Sequence, residues 1–281
     1  MPTTYIAGFD GSAASRAAVE LAARLAAPRA AHLVAVNVYA PAAGAYWTPV
    51  EAMRFDDVQA EYRREAEELL ETLEPPGVEK RAVEAASPAR GLHELAVELD
   101  AGLIAVGVTD RGPLGRLAPG SVASHLLHGS PCPVLVAPEG ADASAIRAVG
   151  VAYDGSEGAL AALHSARELA REHDARLVVI GAHQPSPVPV KMGYPGLPDV
   201  AAEDRQQFET MLERGAAGVD AEYRMIMGSP GHTIAQASGD FDLLVTGSRG
   251  YGPARSVLLG SVSRHLVDHA HCPVLVVPRP A

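Results

Sequence analysis

Cysteine is nearly absent: the 281-residue chain has only Cys132 and Cys272. Two isolated thiols offer no disulfide framework and suit a reducing compartment. Aromatic residues make up just 5% of the chain, with a single Trp, so a core of Ala, Val and Leu is expected. No long apolar run occurs. Residues 243–246 and 274–278 are among the longest, far short of the roughly 20 residues that a membrane helix needs. Positive charge is outnumbered, with 23 Lys and Arg against 34 Asp and Glu, for a formal net charge of −11. That balance argues against nucleic acid or an anionic membrane as the main partner. The first residues, Met1-Pro2-Thr3-Thr4, lead into a strand without a basic-then-apolar leader, so a cytoplasmic location is expected.

What the chain does have is length for two ordinary domains, a 48% apolar fraction, and a programme that runs twice. Residues 4–9 read as a strand ending in Phe9-Asp10-Gly11-Ser12, with Ser12 as a helix cap and residues 16–27 as an amphipathic helix. Strands at 31–38, 78–84, 103–107 and 134–137 follow, with helices at 54–73, 88–99 and 121–128 between them. After a linker at 139–144, Tyr153-Asp154-Gly155-Ser156 repeats Phe9-Asp10-Gly11-Ser12 at an offset of 144. Further on, Gly247, Gly260-Ser261 and Cys272-Pro273-Val274-Leu275-Val276 repeat Gly107, Gly120-Ser121 and Cys132-Pro133-Val134-Leu135-Val136 at an offset of 140. The alternation predicts an α/β protein of two tandem, doubly wound, parallel-sheet domains of Rossmann-like type, at residues 1–140 and 145–281. Ligands of such sheets bind beyond the carboxyl ends of the strands, where the Asp10 and Asp154 turns and both glycine-rich loops fall.

The most telling stretch runs from Leu243 to Ser263: LLVTGSRGYGPARSVLLGSVS. An apolar strand leads into spaced glycines, then a hydroxyl residue, then a helical pattern. Glycines let a backbone approach a ligand closely, and the first amides of a helix point outward without internal partners. With the helix dipole they form an anion cradle, and Ser261 can cap the helix or donate to a phosphate oxygen. No Lys follows Gly260, so this is not a GxxxxGK[ST] phosphate loop, and the glycines do not follow GxGxxG order. The spacing Gly247-x2-Gly250-x9-Gly260-Ser261, with the continuation SVSRHLVDHAHCPVLVVP, resembles the ATP-binding loop of the universal stress protein family.

That resemblance implies ATP, with Mg2+, as ligand. It places phosphates on the amides of Gly247, Gly250, Gly260, Ser261 and Val262 and on the hydroxyl of Ser263, with Asp154 on ribose or adenine and the main chain at Ala182 beside the base. By the repeat, Asp10, Val38, Gly107, Gly120, Ser121 and Val122 take those places in the first half. Asp154 has a plainer reading, as the cap of the next helix. Arg249, Arg255 and Arg264 flank the loop and, taken singly, read as solvated surface charges.

His265, His269 and His271 invite a metal reading, but no third ligand is forced onto the face that His265 and His269 share, so no metal site is expected. Both cysteines precede an apolar strand and read as core. No G-x-S-x-G or H-E-x-x-H sequence occurs and no catalytic residue is assigned. The family resemblance therefore implies a nucleotide-dependent stress-response or regulatory module. The alternative is a slow ATP hydrolase or nucleotidyl-transfer enzyme using the same loop. The two halves are expected to pair pseudo-symmetrically through residues 134–137 and 274–277, which would otherwise leave sheet edges open, and a homodimer of the tandem chain is a further option.

One departure from the motif makes the halves unequal. Asp110 stands where the second half has Gly250. A carboxylate ~4 Å from a phosphate charge would be repelled by ~4 kcal/mol at an effective dielectric of about 20, a penalty that Mg2+, Arg111 or Arg116 would offset in part. Calorimetry with ATP on the intact chain should show one tight site and a second at least about tenfold weaker, which needs only ~1.4 kcal/mol. Asp110→Gly should then strengthen the weaker site. Two equally tight sites in the unmodified protein would contradict the expected asymmetry.

Overall fold

The computed structural model describes residues 3–41, 49–74, 76–108, 121–184, 200–217, 220–248 and 260–278. Among these residues ten strands and eight α-helices are found, alternating within each half. In the first half they are β1 (Thr4–Gly8), α1 (Ala13–Ala26), β2 (His32–Tyr39), α2 (Pro49–Glu71), β3 (Glu79–Glu84), α3 (Pro88–Glu98), β4 (Leu103–Val108), α4 (Ser121–Leu126) and β5 (Val134–Pro138). In the second they are β6 (Ala148–Ala152), α5 (Glu157–His173), β7 (Arg176–His183), α6 (Val200–Ala216), β8 (Ala221–Met227), α7 (Pro230–Ala237), β9 (Leu243–Gly247), α8 (Ser261–His269) and β10 (Val274–Val277).

The strands form one sheet in the order β3-β2-β1-β4-β5-β10-β9-β6-β7-β8. Within each half every neighbouring pair is parallel and the order reverses beside the first strand, as in a doubly wound sheet. Between β5 and β10 the ladder is antiparallel, with Leu135 opposite Leu275. The carboxyl ends of the two strand sets therefore face opposite edges of the sheet, and each half has its own crevice.

Both faces of the sheet are covered, which is why the strands read as continuous apolar runs. Tyr5, Ala7, Leu135, Val149, Val245 and Leu275 face a layer built with α1, α2, α5 and α6. Ile6, Val134, Val136, Ala148, Leu244 and Val276 face the layer built with α3, α4, α7 and α8. Each layer runs through both halves without a break. Cys132 and Cys272 are buried in the second layer, and burial pushes their thiols up to about 11 and about 12, so neither is a reactive thiolate near neutral pH. Across the junction Arg29 after α1 ion-pairs with Glu172 (2.8 Å) and Glu168 (3.4 Å) on α5, and Arg24 donates to the Ala143 carbonyl.

Glycine at the end of β4 and β9 is a packing requirement. A Cβ on Gly107 would meet the backbone of Ala14 and Ser15, and one on Gly247 would meet the backbone of Gly158. Only without that carbon can the first turns of α1 and α5 lie against the strand ends. Helix α1 begins earlier than its amphipathic pattern suggests, at Ala13, because Ser12 caps it by accepting from Ser15 N–H at 3.1 Å. Helix α4 ends at Leu126, two residues before its expected end.

Candidate functional site

The sequence Asp-Gly-Ser after β1 and β6 folds into the same turn twice. Asp154 Oδ1 accepts the Ser156 N–H at 3.0 Å, Gly155 takes a left-handed φ of +78°, and Ser156 Oγ caps α5 by accepting from Ala159 N–H at 3.2 Å. In the first half Asp10 Oδ1 accepts the Ser12 N–H at 3.0 Å and Gly11 has φ +84°. Burial opposes ionisation of Asp10, but hydrogen bonds from Ser12 and Ser15 outweigh it and hold the carboxyl below its ordinary range. Asp154 is therefore not the cap of α5, a place that Ser156 takes; one of its oxygens fixes the turn before the cap, and the residue lines the adjoining pocket.

At the other side of that pocket lie the end of β9 and the start of α8. Gly260, not Ser261, is the N-cap of α8, with an extended φ of −73° and ψ of 164°. Ser261 is already helical, so its hydroxyl is one position too late to close the helix end. The Gly260 carbonyl accepts the Arg264 N–H at 2.9 Å, while the first amides of α8 have no partner within the helix. Ser263 is buried and donates its hydroxyl to the Gly247 carbonyl at 2.6 Å, with Thr246 Oγ1 3.3 Å away. Its proton is therefore engaged in tying α8 to β9.

Of the second-half residues named from sequence, Asp154, Ala182, Gly247, Gly260, Val262 and Ser263 line this one pocket. Ser261 is exposed and its side chain is not part of the lining. Gly250, Arg249 and Arg255 lie outside the described residues, as do Gly120, Asp110, Arg111 and Arg116 of the first half. Arg264 is exposed and sits 3.9 Å from Asp268. In the first half Asp10 and Val38 stand at the ends of β1 and β2, Gly107 in β4, and Ser121 and Val122 in the first turn of α4.

The pocket lining is of two kinds: apolar side chains from Ala152, Ala182, Phe208, Pro230 and Ile234, and the polar Asp154 with the β9 end and the α8 start. Sequence reasoning missed Phe208, whose ring lies 5.3 Å from that of buried His183, and it missed Ser248. Phe208 could have been suspected as one of only four phenylalanines, on the inward stripe of α6. For Ser248 the signal was a comparison between repeats, where the first half has Val108.

The family model described as the universal stress protein family matches residues 2–138 and again 145–278. A universal stress protein of Thermus aquaticus is 38% identical over 132 residues, 45% of this chain and 95% of the relative. One of Mycolicibacterium smegmatis is 28% identical and spans 97% of this chain and 96% of its own length. Among solved structures, a universal stress protein from Archaeoglobus fulgidus superposes with a TM-score of 0.65 at 20% identity, covering 98% of both chains, a likeness of fold.

The histidines of α8 form a group of their own. His265 and His269 stack with ring centroids 4.1 Å apart and planes 9° from parallel, and His232 of α7 meets His265 edge-on at 6.3 Å. His269 Nδ1 is engaged with the His265 carbonyl at 3.0 Å. Among the described residues no three His, Cys, Asp or Glu side chains converge as a metal set. Burial, with repulsion from His269 and His232, depresses the basicity of His265, and burial raises the Asp268 carboxyl above its usual range.

These two shifts have opposite signs in stability. The His265 contribution is present above the unfolded value of 6.5 and is lost as pH falls through the lower folded value; Asp268 gains stability as pH falls through its raised one. The urea midpoint should therefore drop between about pH 7.5 and about pH 5.5, and His265→Gln should lessen that drop. An identical drop in the variant would show that His265 does not contribute.

Proposed function

Because the chain belongs to the universal stress protein family, we propose that its second half binds ATP, with Mg2+ on the phosphates. On this reading the protein is a nucleotide-dependent regulatory module of the cytoplasmic stress response, with domains at residues 1–140 and 145–281. The observation that carries it is one pocket lined both by apolar side chains suited to a base and by Gly260 at the start of α8, whose first amides have no partner within the helix and whose cap residue brings no side chain. Ser248, whose buried hydroxyl has no partner among the described residues, belongs to the same lining, which suits a polar ligand. ATP brings about four negative charges, yet the described lining holds Asp154 and neither Lys nor Arg. Amide dipoles and a divalent cation are thus the available sources of compensation. The described lining also presents no histidine and no lysine to act in catalysis, which favours binding over rapid turnover.

Titration of the intact chain with Mg-ATP should show binding, and Gly260→Asp should weaken it at least about tenfold while the circular dichroism stays unchanged, because the new carboxylate stands where phosphate would lie. Unchanged affinity in Gly260→Asp would remove the α8 start from the site. Steady phosphate release by the pure protein would move the reading to the hydrolase or nucleotidyl-transferase alternative.

The reading extends to assembly. We propose that the halves hold together in solution as a pseudo-dimer through β5 and β10, and that two tandem chains can associate further. The Leu135–Leu275 register and the Arg29 ion pairs support the first part. Separately expressed halves should associate on mixing, as read by sedimentation; two non-interacting monomers would overturn it.

A further inference from the structure

The geometry points to Ser248 as a direct ligand contact: its hydroxyl donates a hydrogen bond to an oxygen of the sugar–phosphate portion of the nucleotide, a contact that the first half cannot make. This rests on the nucleotide reading of the second-half pocket.

Ser248 directly follows β9. Its N–H donates to the Val277 carbonyl at 2.9 Å, which fixes the backbone, and its side chain is 3% exposed. Even so, among the described residues Oγ has no hydrogen-bond partner. The residue lines the pocket between the first turns of α5 and α8, and a Cβ on Gly158 would meet the Ser248 carbonyl at 2.6 Å, so the α5 side is already closed by backbone. A hydroxyl removed from water and left unpaired costs free energy, and buried polar groups in native proteins generally have partners. The pocket that Ser248 lines is where a partner is to be sought.

Comparison of the repeats shows that packing does not require a hydroxyl there. Where β9 and α8 place Thr246, Ser248 and Ser263, β4 and α4 place Val106, Val108 and Ala123, and all six are buried. Valine fills the Ser248 position in the first half with 1% exposure. Of the three second-half hydroxyls, Ser263 is bonded to the Gly247 carbonyl and Thr246 is beside Ser263. Ser248 is left over. A polar trio thus stands in one copy of the duplicated site, and its unpaired member belongs to a residue that lines the pocket.

The test uses the intact chain with Ser248→Val and Ser248→Ala, followed by thermal melting without ligand and calorimetry with Mg-ATP and with adenosine. Without ligand both variants should melt at or above the unmodified temperature, since no internal hydrogen bond is removed. The Kd for Mg-ATP should rise about tenfold, the loss of one hydrogen bond to a charged group. A loss seen with ATP alone assigns the contact to phosphate, and an equal loss with adenosine assigns it to the sugar. A clear fall in ligand-free melting temperature for both variants would mean that the hydroxyl is satisfied inside the protein and would overturn the inference. So would a Kd within about twofold of the unmodified chain in both. Absence of ATP binding by the unmodified protein would instead sink the nucleotide reading beneath it, while the ligand-free melting comparison would still report whether the Ser248 hydroxyl is bonded within the protein.

Discussion

Everything at the second-half pocket depends on how closely α5 approaches the end of β9. That approach is possible because two residues in contact, Gly247 and Gly158, both lack a Cβ; a side-chain carbon on either would strike the other's backbone or that of Ser248. With the contact closed, the capped start of α5, the Asp154 turn and the Ser248 backbone share one wall. The hydrogen bond from Ser263 to the Gly247 carbonyl then draws α8 onto the same strand end. Two helix starts and one strand end are held within a few ångströms by backbone sterics and a single hydroxyl. The first half keeps the strand–helix contact through Gly107 and Ala14 but, with Ala123, has no side chain to make the second tie. Gly247 therefore serves packing before it serves any ligand.

Much of this was legible in the sequence because it arises from local rules. Strands covered on both faces read as apolar runs, the Asp-Gly-Ser turns declare a left-handed glycine and a cap, and duplication doubles every signal. What was not legible depends on where chain-distant groups meet. Ser261 looked like a cap because hydroxyl residues favour that position, yet Gly260 is the residue with extended backbone, and composition alone does not set that register. Ser263 looked like a phosphate donor, but its proton is directed at a carbonyl 16 residues away. The His265–His269 stack follows from helical spacing, whereas the edge-on approach of His232 needs α7 laid against α8.

Electrostatics sets the terms on which an acidic chain would hold the anion site proposed for its second half. Side-chain charge is nearly absent from the described pocket lining, and what is there is negative. Attraction must come from oriented amides, whose partial charges are fixed by the helix and act at short range, so the net charge of −11 spread over the surface is largely screened at that distance. A backbone cradle of this kind also tolerates sequence drift, since only the absence of a side chain at Gly260 and the position of the helix end are required. The same nine-residue helix carries His265 at its middle, where burial and the neighbouring imidazoles disfavour positive charge.

Duplication gives the clearest separation of structural from functional constraint. The two halves share the strand order, the capped turns, the strand-end glycines and the Cys-Pro-Val-Leu-Val strand, all of which bear on folding. They differ at Val106, Val108 and Ala123 against Thr246, Ser248 and Ser263, positions that are equally buried in both and hence under the same packing limits. A difference in polarity at constant burial is not neutral: an added hydroxyl must find a partner or cost stability. Thr246 and Ser263 find each other and a carbonyl. On the proposed reading the third hydroxyl takes its partner from the ligand, at a depth where the other copy packs valine instead.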